Sequence, residues 1–350
     1  MSQTTFSSAA ESIPFGKRQI GSSSPVVIIA EIGVNHEGDV NQCGEMIRQA
    51  ADSGVDAIKL QSIDADKNYV PGTESHAIFS QCELSPNDTE RMFVLAKDLG
   101  MEAFTTSGDP ETLEWVEALN PAAHKISSGL LTHIPMVERT AQTGRAMLIS
   151  TGMAKVTEID DAVSIARASG CQDIGIFQCT SQYPAPVDTL NLATMRWLEE
   201  RYDLPVGFSD HSMGVGAAAL AVAAGARMIE KHFTFDKTRP SFDHGISLES
   251  DDMADMVAAI RSAERAIGSP EKQLAQAEQT NRLKFHRCLV ACRDIRRGEI
   301  FSEENLWPKR PLPDNRGLAA KHYGDVIGRR ATADIAKNEP VTAKVVEDFQ

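Results

Sequence analysis

The sequence predicts an α/β fold in two parts: a (β/α)8 TIM barrel over residues 25–268 and a small domain of short strands over 285–350, joined by a polar arm at 269–284. Three observations predict it. Short runs rich in apolar and β-branched residues alternate with segments of helical spacing, and there are eight of them. No GxGxxG follows the first run, which weakens a dinucleotide-binding open sheet, the other fold that produces this alternation. Both patterns stop near residue 270, where the chain becomes polar.

The elements follow in order. Residues 1–24 open with MSQTTFSSAAES, polar and Ser/Thr-rich, without the apolar core of an export signal or the arginines of a transit peptide, and are expected to be a disordered or extended lead-in. The strands are PVVIIAEIG (25–33), DAIKLQS (56–62), MEAFTTS (101–107), AAHKISS (122–128), AMLIST (146–151), DIGIFQCT (173–180), PVGFSDH (205–211) and RMIEKHF (227–233). Helical spacing runs through 40–54, 85–100, 156–170 and 189–202. Ser85-Pro86 supplies a cap and a first-turn proline, and Gly54, Gly100 and Gly170 stand where a helix ends in a left-handed residue. Beyond the arm SPEKQLAQAEQTNRLK come short apolar runs, a turn at Arg297-Gly298 and several prolines.

Composition narrows the function. A net charge of −14 argues against nucleic acid or an anionic membrane surface as the main partner, so an anionic substrate needs a focused cluster of cations. The longest apolar stretch, 215–226, is too short and alanine-rich to span a bilayer. The cysteines, at 43, 82, 171, 179, 288 and 292, form no CxxC pair and are expected to be reduced thiols in a cytoplasmic protein.

The chemistry lies at the strand ends, which a parallel barrel gathers at one mouth. They carry Glu31, Lys59 and Gln61, Thr106 and Ser107, Lys125 and Ser128, Ser150 and Thr151, Cys179, Ser181 and Tyr183, Asp210 and His211, and Glu230 and His232. Each has an ordinary explanation. A lysine near a strand end pairs with a carboxylate, a serine beside glycine makes a turn, and a lone histidine is most often a satisfied core residue. As a ring they exceed what packing asks for, and His211 and His232, ending adjacent strands, suit a shared divalent metal. Strand alternation places Glu230 on the same face as His232 and turns Lys231 away, toward an ion pair with the surrounding helices.

The segments IIAEIGVNHEGD, AIKLQS, AHKISSG, LISTGMA, QCTSQYPAP, VGFSDHSMG and IEKHFTFDKTRPSFDHGISL resemble, in this order, the sialic acid synthase family. The tail, DIRRGEIFSEENLWPKRP followed by DVIGRRATADIAKNEPV, resembles the antifreeze-like (SAF, β-clip) domain that ends those synthases, and the resemblance covers residues 25–348.

It implies condensation of phosphoenolpyruvate with the open-chain aldehyde of an N-acylated amino sugar such as N-acetylmannosamine, giving N-acetylneuraminate or a related acid and phosphate by C–O cleavage. It implies a divalent ion, Mn2+ or Mg2+, on His211 and His232, and Glu31 as a proton-handling group. Lys59, Ser107, Lys125, Ser128, Ser150 and Ser181 match phosphoenolpyruvate-binding positions. Gln61, Thr73, Tyr183 and Asp243 match acceptor positions, and Arg310 matches an arginine that reaches the partner's site in a domain-swapped homodimer. Leu130 and Ser181 depart from the family pattern, where glutamate and asparagine are common. The acceptor stays open between N-acetylmannosamine, its 6-phosphate and a legionaminic or pseudaminic precursor. A Schiff-base aldolase using Lys59 or Lys125, and a non-catalytic sugar-binding homologue, are the alternatives.

Overall fold

The structure, a computed structural model, describes residues 12–240, 243–269, 271–312 and 314–349. It divides into two compact units, one ending at Gly268 and the other beginning at Ser269.

The first unit begins with an antiparallel hairpin, β1 (Ile13–Phe15) and β2 (Arg18–Ile20). The eight strands that follow are β3 (Val27–Gly33), β4 (Ala57–Ser62), β5 (Glu102–Ser107), β6 (His124–Ile126), β7 (Met147–Ser150), β8 (Ile174–Cys179), β9 (Val206–Asp210) and β10 (Met228–His232). They pair in parallel and close into a barrel, β10 lying between β9 and β3. A sheet covered on both faces reads as continuous apolar runs, and β3, VIIAEIG, is buried at every position.

Two apolar layers hold this unit. The outer one packs helices on the sheet, with Met46, Ile47 and Phe93 against Ile28, Ile58 and Leu60. The inner one fills the barrel toward its N-terminal end with Phe104, Leu148, Phe177 and Met228. Space for these large side chains comes from glycine: a Cβ on Gly207 would stand 2.2 Å from Met228 Cγ and 2.8 Å from Phe177. Ile13, Phe15 and Ile20 join the same layer, and the Phe15 ring meets Phe104 edge-on at 5.3 Å.

The hairpin lies within the expected lead-in, whose described residues include extended, paired strands. Residues 1–11 lie outside the described residues, but 13–20 are folded: Ile13, Phe15 and Ile20 are buried, and each strand is only three residues long, too short for a period to show in the sequence. The helix ends follow their signals. Ser85 Oγ accepts from Asp88 N at 3.1 Å, and Gly54, Gly100 and Gly170 have φ of 81°, 84° and 106°. Two short helices after β4, Ala65–Asn68 and Glu74–Cys82, were not expected.

In the second unit the arm contains a helix, Gln276–Phe285, with no buried residue. After it, β11 (Cys288–Ala291) and β12 (Leu306–Lys309) pair antiparallel over a small core of Leu289, Phe301, Leu306, Val326 and Val341. Among the described residues no helix is long and apolar enough to cross a membrane. All six cysteines are free.

Gly207→Ala is expected to lower stability in urea unfolding by about 1–3 kcal/mol through overpacking of the inner layer. Gly216→Ala, where an added methyl meets nothing within 4 Å, should leave stability unchanged or raise it by up to about 1 kcal/mol.

Candidate active site

The strand ends enclose a cavity of about 660 Å³ at the C-terminal mouth of the barrel. Its floor holds four charged side chains, Glu31 of β3, Lys59 of β4, Lys125 of β6 and Glu230 of β10, none more than 5% exposed. Lys59 Nζ lies 3.0 Å from Glu31 Oε2 and 3.5 Å from Glu230 Oε2, and Lys125 Nζ lies 4.0 Å from Glu230 Oε1. Gln61 Nε2 donates to Glu31 Oε1 at 2.8 Å, and Ser209 Oγ donates to Glu230 Oε1 at 3.0 Å.

Burial drives these groups apart in acidity. It pushes the Glu31 carboxyl up to about 7, against the pull of Lys59 and with the repulsion of Glu230. Burial would raise Glu230 as well, but Lys125 and Lys59 hold it down at about 2. Lys59 faces the same desolvation, and the two carboxylates overcome it and raise its pKa. Lys125 is less well compensated, and burial lowers its amine to about 8. The quartet therefore contains one committed anion, one committed cation and two groups that exchange protons near neutrality.

Beside Lys125 is a cradle of donors. Lys125 Nζ donates to Ser150 Oγ at 2.6 Å, and Ser128 Oγ accepts from Gly152 N at 3.0 Å. Ser128 and Ser181 flank the Cys179 thiol at 3.6 and 3.9 Å. Glycine at 152 leaves both hydroxyls their places, because a Cβ there would stand 2.1 Å from Ser181 Oγ and 2.7 Å from Ser128 Oγ and both would have to move. This side of the mouth suits an anion.

Across the cavity, the rings of His211 and His232 have centroids 5.3 Å apart, and the Tyr183 ring lies 4.3 Å from His211. His211 Nδ1 donates to Thr180 O at 2.9 Å, so its Nε2 carries the free lone pair. Burial and the nearby His211 and Lys59 hold His232 well below its usual pKa, as a neutral imidazole. His232 Nδ1 is buried without a hydrogen-bond partner, 3.4 Å from Asp243 Oδ2. An orphaned imidazole nitrogen beside a carboxylate and a second oriented imidazole are donors of the kind divalent cations take, although among the described residues no three His, Cys, Asp or Glu side chains are gathered closely enough to make a ready cation site. Asp243 is placed through its backbone, Asp243 N donating to Asn35 Oδ1 at 3.2 Å.

The third wall comes from the unexpected helices after β4. Tyr69 and Phe79 stack at 5.1 Å, and Ser75 lines the cavity with them. Lys67 also faces the cavity but is occupied by carboxylates: Glu111 Oε2 at 2.5 Å, Asp64 Oδ2 at 3.2 Å and Asp109 Oδ1 at 3.9 Å.

Eleven of the fourteen residues to which the resemblance gives a role line this one cavity: Glu31, Lys59, Gln61, Lys125, Ser128, Ser150, Ser181, Tyr183, His211, His232 and Asp243. Ser107 does not line it; strand alternation turns its neighbour Thr106 inward, with an unpaired buried hydroxyl. Thr73 is exposed and caps the helix Glu74–Cys82, accepting from His76 N at 3.2 Å. Arg310 belongs to the C-terminal unit, where it is exposed and lies over the Phe285 ring at 5.0 Å. Tyr69, Phe79 and Lys67 were missed; the helical spacing of 74–82 was the available signal.

A model of the NeuB family matches residues 46–272, and one of the SAF domain matches residues 286–347. The chain is 36% identical to the N,N'-diacetyllegionaminic acid synthase of Campylobacter jejuni, over 89% of this chain and 98% of that one. It is 31% identical to the human N-acetylneuraminate-9-phosphate synthase, over 95% of each chain. The crystal structure of the N-acetylneuraminic acid synthetase of Leptospira borgpetersenii, in complex with citrate, superposes with a TM-score of 0.75 at 30% identity, covering 79% of this chain and 96% of that one.

The acidity of Lys125 makes the cradle pH-dependent. Its cation is present below about 8 and lost as the pH rises through that value, so sulfate, which does not titrate, should bind about tenfold more weakly at pH 9 than at pH 7. Lys125→Arg keeps its charge over this range and should flatten the profile, as read by calorimetric titration.

Proposed function

The chain belongs to the NeuB family of nonulosonic acid synthases, and we propose that it condenses phosphoenolpyruvate with the open-chain aldehyde of an uncharged N-acylated amino sugar and releases phosphate. The observation that carries this reading is the division of one cavity into a lysine and hydroxyl cradle on one side and an oriented imidazole pair on the other, with a balanced charge quartet beneath.

In this reading Lys125, Ser128, Ser150, Ser181 and the Gly152 N–H bind the phosphate and carboxylate of phosphoenolpyruvate. His211 and His232 would hold the divalent ion, Mn2+ or Mg2+, which supplies Lewis-acid polarisation of the aldehyde. Tyr183, Gln61 and Asp243 orient the sugar so that its carbonyl carbon faces the methylene carbon of phosphoenolpyruvate. The new C–C bond forms from the enol π pair. Water then adds at the carbon bearing phosphate, and its C–O bond breaks to leave the keto acid and phosphate. Glu31, poised at about 7, takes the proton of the attacking water and returns one to the sugar oxygen. Lys59 keeps Glu31 and Glu230 from repelling each other while this happens.

The charge of the walls selects the acceptor. On the side of β10, β3 and β4 the cavity presents Asp243, Glu31, Gln61 and the Tyr69–Phe79 pair, and its outer lysine, Lys67, is already held by three carboxylates. A phosphate on the far end of the sugar would be repelled there. Arg310 is read as a contact to the acceptor in a partner copy of a homodimer, and the free thiols as those of a cytoplasmic enzyme.

The depressed amine of Lys125 supports one second reading, a Schiff-base aldolase. Borohydride with a keto-acid substrate would trap a lysine adduct in that case; the synthase forms none.

Phosphate release from phosphoenolpyruvate with Mn2+, measured across a panel of acceptors, tests the proposal. Neutral N-acylated sugars should exceed their 6-phosphates in kcat/KM by about 100-fold or more. His232→Ala should lower kcat by about 1000-fold or more while leaving sulfate binding and urea stability near wild type. Activity that survives thorough chelation would remove the metal from this account.

A further inference from the structure

Lys231 and Asp210 face each other on β10 and β9, one residue before His232 and His211. Both side chains are 0% exposed, so the ion pair expected between Lys231 and the helices lies instead within the barrel wall. Lys231 Nζ is 3.0 Å from Asp210 Oδ2 and also donates to the Ser212 carbonyl. Asp210 Oδ1 accepts from Ser212 N at 2.8 Å and from Ser212 Oγ at 2.6 Å. The bonds therefore close around the backbone of His211 and tie it to the strand that carries His232.

A fully buried ion pair is a poor way to gain stability, since its desolvation offsets its attraction and an apolar pair of similar volume serves as well. What such a pair provides is one geometry. The His211 ring is held directly by Thr180, but His232 Nδ1 has no hydrogen bond, so the place of that ring depends on the backbone of β10. Lys231 is the side chain that fixes this backbone to the bend beside His211.

We propose that Lys231, with Asp210 and Ser212, is a positioning residue that sets the separation of the two imidazoles for a shared cation. This rests on the metal reading above. Lys231 touches neither substrate nor ion; it acts through the two strand ends.

The test uses the full-length double variant Asp210→Asn/Lys231→Met. It removes both charges and keeps an acceptor for Ser212. Mn2+ binding is measured without substrates by the electron paramagnetic resonance of free Mn2+, alongside thermal unfolding and sulfate titration. The expected result is a Mn2+ dissociation constant raised by about tenfold or more, with sulfate affinity unchanged and Tm equal to or above wild type. Mn2+ affinity within about twofold of wild type overturns the proposal, as does parallel loss of sulfate binding, which marks a merely structural role. If the double variant does not fold, Lys231→Arg takes its place. It keeps the charge but cannot set one nitrogen against both Asp210 and Ser212, so it should weaken Mn2+ in the same way, and unchanged binding overturns the idea equally. Wild-type protein that binds no Mn2+ would instead remove the metal reading itself.

Discussion

The structure depends on mutual neutralisation at the bottom of the mouth. Two lysines and two glutamates sit where none could remain charged alone, because transfer of an isolated ion into such a place is prohibitive. Each is tolerated because the others are there, and the barrel supplies the register: Glu31 stands beside Lys59 on paired strands, and Glu230 faces both lysines. That mutual dependence leaves Glu31 and Lys125 only partly compensated and therefore able to exchange protons near neutral pH. The chain is acidic as a whole, so the attraction for an anion has to be local, and the cradle of Lys125, Ser150 and Ser128 beside the quartet supplies it.

The barrel was legible in the sequence because parallel strands covered on both faces carry unbroken apolar runs, and because glycines and caps mark the helix ends. The strand-end residues were legible for the same reason: once the strands are located, topology gathers their ends. The departures have equally definite causes. Of the neighbours Thr106 and Ser107, Thr106 lines the cavity and Ser107 does not, because adjacent residues of a strand take opposite faces. Thr73 matches an acceptor position in the resemblance, but its hydroxyl is occupied by the turn it caps. The Tyr69–Phe79 wall belongs to an excursion between barrel elements, away from the strand ends by which the other site residues are located. The hairpin at 13–20 was hidden because three-residue strands are too short to display alternation clearly.

The two glycines in the lower barrel and the one in the cradle illustrate how differently the same residue is used. Gly175 and Gly207 yield volume to Met228 and its aromatic neighbours, and so serve packing. Gly152 yields space to two hydroxyls and offers its own N–H, and so serves the site. A substitution at the first kind is felt in stability, and at the second kind in recognition.

The hairpin adds Phe15, against Phe104, to the apolar layer at the lower end of the barrel, and the cavity lies at the other end. Packing is thus gathered at one end of the barrel and polar side chains at the other, so a change made in the hairpin is expected to act on the stability of the unit without touching the cavity.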